Sequence, residues 1–164
     1  MRLLRALASN KLCLFKNLQK GFTLIELLVV IAILGILAAG ILVAIDPLDK
    51  INAANDTQVQ NDVSGSGRAS EAYAIAHGGY YPAALSDLLT TGELKRVPAA
   101  PAGYTAYAVA NTPVGCTAGT TCTAIVISGQ LKAKKFTSVG TPFWRYESSS
   151  GKSCAVATAG TACP

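Results

Sequence analysis

Hydrophobic residues dominate one stretch near the beginning of the chain. Residues 27–45 include no charged or polar side chain. An uninterrupted apolar run of this length predicts a helix rather than a strand. A helix over residues 22–45 would measure about 36 Å, enough to cross the hydrocarbon core of a bilayer. We therefore expect residues 22–46 to form a membrane-spanning helix.

The pattern becomes polar after Asp46-Pro47, and the proline predicts a kink or local melting of the helix at Pro47. Residues 47–77 are predicted to form the second half of the long helix. Its larger apolar residues are Leu48, Ile51, Val59, Val63 and Tyr73. Gly65 and Gly67 each cost about 1 kcal/mol relative to alanine in a helix. The helix therefore either breaks there or uses these small residues to lie against a sheet.

Residues 78–164 are predicted to form a globular domain. It begins with the turn cluster His77-Gly78-Gly79-Tyr80-Tyr81-Pro82, which a short helix over residues 83–90 follows. Short β-prone segments predict four strands, at residues 104–110, 123–128, 130–137 and 142–148, with Ser128-Gly129 as the turn between the middle pair. The fold class is α+β, with a long N-terminal helix packed on a small C-terminal antiparallel sheet.

Basic residues are concentrated at the N-terminus. The first 20 residues hold five of the 14 Lys and Arg and no acid, so this leader should stay in the cytoplasm. The remaining nine Lys and Arg residues are equal in number to the nine Asp and Glu residues of the chain. The net charge of +5 therefore predicts no specific nucleic-acid partner once the leader is removed.

The leader differs from a secretory signal peptide, in which the small-residue cleavage site follows the apolar region. Here the small residue, Gly21, precedes it. Cleavage after Gly21 would remove residues 1–21, keep the apolar helix and create a new amine at Phe22. Glu26 would then lie four residues from that amine.

The segment Lys20-Gly21-Phe22-Thr23-Leu24-Ile25-Glu26 and the apolar residues after it resemble the class III signal of type IV pilins and type II secretion pseudopilins. The resemblance is strong over about residues 20–60 and looser through Pro101. It implies that prepilin peptidase cleaves between Gly21 and Phe22 and methylates the Phe22 amine. It also implies that Glu26 acts in assembly.

Cys13 lies in the leader, and four cysteines remain in a region expected outside the cytoplasm, which is typical of two disulfides. Three connectivities are open. We favour Cys116–Cys122 and Cys154–Cys163 because each closes a short loop. The spacings lack the close cysteine pairs of zinc sites, so no metal is expected. The tail after residue 148 would be held only by its disulfide.

No catalytic or cofactor motif is apparent. His77 is the only histidine and lies at a predicted helix end, where a solvated or capping role is usual. Gly151-Lys152-Ser153 lacks the first glycine of a phosphate loop. A small basic cluster, Lys132, Lys134 and Lys135, fits a charged edge strand better than a DNA contact. We expect neither an enzyme nor a cofactor.

The resemblance implies a structural subunit of a type IV pilus that polymerises through its apolar helix. Small residues four apart, Gly35 with Ala39 and Gly40 with Ala44, suit close helix packing. Expected partners are copies of the chain, related minor pilins, prepilin peptidase, an inner-membrane assembly platform and, before assembly, the membrane itself. The precursor would span the inner membrane, and the mature form would lie in an extracellular pilus.

Two alternatives stay open: a pseudopilin of a secretion or DNA-uptake system, with a periplasmic location, and a membrane-anchored binding module that never polymerises. The disulfides and the long region after Pro101 favour a pilin over a pseudopilin. Major pseudopilins usually carry a calcium-binding loop, whereas Glu147 is the only acid after Pro101. The acid at Glu26, which a mere anchor has no reason to keep, argues against the binding module.

Overall fold

A computed structural model of the chain describes residues 21–164, so the predicted leader, apart from Gly21, and its Cys13 lie outside the described residues. The described residues divide into two units, one that ends at Ile45 and one that comprises Asp46–Pro164. The first unit contains helix α1, Leu24–Ile45. The helical stretch that begins with α1 is long and apolar enough to cross a membrane, judged by its length and composition alone.

The second unit begins with helix α2, Pro47–Ala76. Asp46 caps it and interrupts regular helix, because its φ of 45° lies in the left-handed region. The Asp46 carboxylate accepts the backbone N–H of Asp49 at 3.3 Å. Pro47 occupies the first turn of α2, where its missing donor costs nothing. Helix α2 runs unbroken past Gly65 and Gly67.

The remaining elements are helix α3, Asp87–Thr90; strands β1, Ala108–Thr112, and β2, Ala124–Gln130; helix α4, Lys134–Thr137; and strands β3, Phe143–Glu147, and β4, Lys152–Val156. The four strands form one antiparallel sheet in the order β1-β2-β3-β4. The predicted α+β class is confirmed.

The core lies between α2 and the inner face of the sheet. Its main members are Val59, Val63 and Tyr73 of α2, Ile125 and Ile127 of β2, Tyr146 of β3, and Leu88 of α3. The close approach of α2 to the sheet depends on glycine at two positions. A Cβ at Gly67 would stand 2.4 Å from Cγ of Tyr146, and one at Gly129 would stand 2.6 Å from a methyl of Val59.

One buried carboxylate joins α2 to two distant segments. Asp56 is fully buried and accepts the backbone N–H groups of Lys132 at 2.9 Å and Ala133 at 2.8 Å. The Tyr104 hydroxyl donates to the same carboxylate at 2.8 Å. Burial and this bond raise the pKa of Tyr104 above its ordinary range. All three donors compensate a charge that would otherwise be costly to bury.

The predicted strand at residues 130–137 is wrong. Strand β2 continues through Gly129, so no hairpin turn lies there, and Lys134–Thr137 is helix α4. Asp56 takes the N–H groups of Lys132 and Ala133, and Asp49 takes that of Lys134 at 2.7 Å. Because the backbone N–H groups of residues 132–134 bond to side chains of α2, this segment cannot pair with a neighbouring strand. The charged-edge-strand interpretation of the basic cluster is therefore also wrong.

Other boundaries differ from the expectation. Strand β1 begins at Ala108 rather than at residue 104, because the Tyr104 side chain turns to α2. The short helix comprises only the last four residues of its predicted range. Strand β4 pairs with β3 in a tail where the sequence predicted no strand, since its small and polar residues give no alternating signal.

Candidate functional site

The N-terminus of α1 carries a reciprocal pair of hydrogen bonds between Thr23 and Glu26. The Glu26 backbone N–H donates to Thr23 Oγ1 at 3.2 Å. In return, Glu26 Oε2 accepts the Thr23 backbone N–H at 2.8 Å and the Thr23 hydroxyl at 2.7 Å. This is a capping box, in which both residues satisfy donors that a helix end leaves free. It holds the carboxylate at the positive end of the helix dipole.

Gly21 and Phe22 precede the helix in an irregular and exposed segment. Apart from its neighbours in the chain, no described atom lies within 4 Å of a Cβ added at Gly21. The Phe22 ring is 75% exposed. A scissile bond between these two residues would thus be accessible to a peptidase, and the backbone nitrogen released at Phe22 would immediately precede the Thr23 N–H that Glu26 binds.

The surface of α1 is apolar throughout. All 22 of its residues are exposed, and Glu26 is the only ionisable one. The helix is about 33 Å long, close to the thickness of a bilayer core. Phe22, Ile25, Glu26, Val29 and Val30 border a shallow depression of about 370 Å³. A surface of this kind is unfavourable in water, and it requires lipid or other apolar helices as its surroundings.

The small residues of α1 leave open space beside the backbone. Apart from neighbouring residues and the backbone of α1 itself, no described atom lies within 4 Å of a Cβ added at Gly35 or Gly40. Ala39 and Ala44 follow them at a spacing of four, on the same helical faces. Another helix could approach α1 closely along these positions.

Two disulfides brace the second unit, and they join the pairs that the sequence favoured. Cys116–Cys122 closes the loop between β1 and β2, with Cα atoms 5.0 Å apart. Cys154–Cys163 ties the C-terminal tail to β4, with Cα atoms 5.8 Å apart. Within residues 21–164, no cluster of three or more metal-ligating side chains is present.

The tail also bonds to an ion pair on β3, in which the Arg145 side chain is 9% exposed and that of Glu147 is 16% exposed. Arg145 Nη2 lies 3.2 Å from Glu147 Oε1. Arg145 Nη1 donates to the Ala159 carbonyl at 2.6 Å, and the Cys163 N–H donates to Glu147 at 3.3 Å. The tail is therefore held by its backbone as well as by its disulfide.

His77 lies at the C-terminal end of α2. Its ring stacks on Tyr73 with centroids 3.9 Å apart, and Nδ1 lies 2.8 Å from the Tyr73 carbonyl oxygen. This is a capping arrangement. Sequence reasoning placed Gly21, Phe22 and Glu26 but overlooked Thr23, although the pattern Thr-x-x-Glu before an apolar run is the signature of a capping box.

The family model of the prokaryotic N-terminal methylation motif matches residues 16–42. This motif is the class III prepilin signal of type IV pilins and pseudopilins, so the resemblance seen in the sequence is confirmed. The motif implies processing by prepilin peptidase and pilus-type assembly, and with the apolar helix it indicates membrane anchoring. A comparison with solved structures found no match.

Proposed function

We propose that this chain, which carries the class III prepilin signal, is a structural subunit of a type IV pilus that polymerises through α1 into a surface filament. The supporting observation is the state of α1: its 22 residues are all exposed and almost all apolar, and most of them lie within the matched methylation motif. In the membrane, lipid covers this helix. In a filament, the α1 helices of other subunits would replace the lipid.

Assembly makes Glu26 the critical residue. An ionised acid at a bilayer centre costs about 2.5–3.5 kcal/mol on insertion scales. In the membrane pool, Glu26 lies near the end of α1 and can stay at the interface. Inside a filament that interface is gone, and the carboxylate needs a cation. The Phe22 amine, from the same subunit or from a neighbour, supplies it after the leader is removed.

The capping box prepares Glu26 for this role. The Thr23 N–H and the Thr23 hydroxyl both donate to Glu26 Oε2, which fixes the carboxylate beside the first backbone nitrogens of the mature chain. A carboxylate already held at the helix terminus loses less conformational entropy when a cation pairs with it. If the amine belongs to a neighbouring subunit, this pairing sets the axial register of the filament.

A pseudopilin remains the alternative, since both groups carry the same signal. The experiment is immunogold electron microscopy of cells and of sheared surface material, with an antibody against residues 46–164. Labelled surface filaments would support the pilus. Label confined to the periplasm would support the pseudopilin, and stable membrane protein without any filament would support an anchored binding module and contradict polymerisation.

A further inference from the structure

The basic cluster that the sequence singled out belongs to the segment around α4, and its three lysines have different surroundings. Lys134 Nζ pairs with the Asp46 carboxylate, which raises the pKa of Lys134. Lys132 Nζ donates to the Gly103 carbonyl at 2.5 Å. Lys135 Nζ lies 4.7 Å from the centroid of the neighbouring Phe136 ring.

The start of α2 and the segment around α4 carry four lysines, at positions 50, 132, 134 and 135, against three aspartates, at positions 46, 49 and 56, so one positive charge is in excess. Among residues 21–164 the structure shows two ion pairs, Lys134 with Asp46 and Arg145 with Glu147. Lys135 and Lys50 are both exposed and take part in neither. Each therefore keeps a cation in solvent close to the start of α2.

Helix α4 is tied to the residue at which the chain leaves α1. Lys134 bonds to Asp46 through its ammonium group and to Asp49 through its backbone N–H. Asp46 follows Ile45, the last residue of α1. The peptide bond from Ile45 to Asp46, together with the bonds of Asp46 and Asp49 to Lys134, thus keeps α4 close to the residue at which α1 ends.

We propose that Lys50, Lys135 and two exposed apolar residues from the same two segments, the start of α2 and the turn after α4, form a surface that docks on anionic phospholipid headgroups. We call this the juxtamembrane surface; its apolar members are Leu48, 66% exposed, and Val139, 69% exposed. The membrane is the one that α1 spans, so the inference rests on that part of the proposed function. A surface with both lysines and exposed apolar side chains suits the headgroup region, because the ammonium groups contact lipid phosphates and the apolar side chains enter the boundary with the acyl chains.

Electrostatics limits this contact to residues close to the membrane. The field of anionic lipids decays over a Debye length of about 10 Å at ordinary ionic strength. Only cations held near the end of α1 can use it, which is the position that Asp46 and Asp49 give to α4. Each such lysine favours the docked state about fivefold, which corresponds to ~1 kcal/mol. Docking would hold the sheet domain against the membrane until a subunit is extracted for assembly.

The test uses the mature chain in lipid nanodiscs at one chain per disc. A tryptophan replaces Val139, and phospholipids with a nitroxide spin label on the headgroup quench it where it reaches the headgroup region. Discs contain phosphatidylcholine with or without phosphatidylglycerol. The parent protein gives the background of Trp144, and Val114→Trp, at a 96% exposed loop position between β1 and β2, gives the value for an undocked side chain.

We expect quenching at position 139 to exceed that at position 114 and to increase with phosphatidylglycerol. Replacing Lys50 and Lys135 together by glutamine should reduce the docked fraction relative to the undocked one by roughly 25-fold, about fivefold for each lysine. The matched control replaces Arg68 and Lys152 by glutamine. Arg68 lies about 30 Å farther along α2 than Asp46, so the control should leave quenching unchanged.

Three outcomes would overturn the proposal. One is equal quenching at positions 139 and 114. Another is quenching that does not change with the phosphatidylglycerol content. The third is quenching that appears only with several chains per disc, which would identify a second copy as the partner. A chain that fails to enter discs at all would overturn the membrane-spanning helix as well, whereas insertion without docking leaves the proposed function standing.

Discussion

Gly67 of α2 lies against the ring of Tyr146 of β3, so closely that a Cβ at position 67 would meet Cγ of the ring at 2.4 Å. Tyr146 is itself buried, and its hydroxyl donates to Glu71 one turn farther along α2. The ring therefore cannot turn aside without losing that bond. A helix-weakening glycine is kept at this position because the sheet approaches the helix there.

Gly67→Ala should lower the free energy of unfolding by about 1–3 kcal/mol, because the added methyl overpacks the contact with Tyr146. Gly65→Ala is the matched control. Its Cβ would enter open space, so better helix propensity should raise stability by up to ~1 kcal/mol. Urea unfolding of the mature chain in detergent, followed by Trp144 fluorescence, measures both. Equal stabilisation by the two substitutions would contradict the packing described here.

The sequence predicted what local patterns encode. The apolar run of α1, the long polar helix α2 and the strand at β3 all follow from periodicity and length. The structure of residues 130–137 does not follow from local patterns. It depends on Asp56 and Asp49, whose carboxylates lie more than 75 residues away in sequence and accept the backbone N–H groups of this segment. Local propensity cannot report such a contact.

Asp56→Asn should lower the free energy of unfolding by about 2–3 kcal/mol, since an amide cannot accept all three donors that the buried carboxylate accepts. The loss should concentrate at α4 and at Tyr104, which amide hydrogen exchange can resolve. Asp62→Asn is the control, because Asp62 is only half-buried and accepts the Tyr107 hydroxyl at 2.7 Å and the Gln58 side-chain amide at 3.5 Å. Similar losses in both variants would refute a special role for Asp56.

Replacing Cys154 and Cys163 together by alanine should cost roughly 2–3 kcal/mol in the chain-entropy model of loop closure. Amide exchange should increase most at residues 157–163, which the disulfide and Arg145 hold, and less in β3. The matched control removes Cys116–Cys122 and should loosen the β1–β2 loop instead. Free thiols at positions 154 and 163 in exported wild-type protein would contradict the assignment.

The functional segment could be recognised in sequence because its residues are consecutive. Gly21, Phe22 and Glu26 form one motif, and the motif needs no tertiary contact to be seen. The ion pair beneath the tail could not be found in this way. Arg145 and Glu147 bond to residues 159 and 163, and the pattern of residues along a strand does not report such a contact with the tail.

Processing is the first step that the proposed function requires. We expect the mature chain to begin at Phe22 with one methyl group on its amine, because Gly21 is small, exposed and lies three residues before the start of α1. Mass spectrometry of envelope material reads the N-terminal peptide. A mature chain that keeps residues 1–21, or that is cleaved beyond residue 45, would end the pilin interpretation.

Glu26 has two separable roles, a capping role shared with Thr23 and a charge that assembly requires. Glu26→Gln keeps the capping box, since glutamine serves at this position, but removes the charge. Thr23→Ala removes the capping partner and keeps the charge, at a cost of about 1 kcal/mol to the helix end. Glu26→Ala removes both roles, and Glu26→Asp, shorter by one methylene, should be intermediate in assembly.

The most direct measurement is the yield of filaments from cells in which each variant is the only source of this subunit. Electron microscopy of sheared surface material counts filaments, and a membrane immunoblot shows that the subunit is inserted and processed. Stranding one charge of a buried pair typically costs 3–5 kcal/mol. The account therefore predicts normal membrane levels but few filaments for Glu26→Gln and Glu26→Ala, and substantial assembly for Thr23→Ala. Abundant normal filaments built only from Glu26→Gln subunits would contradict it.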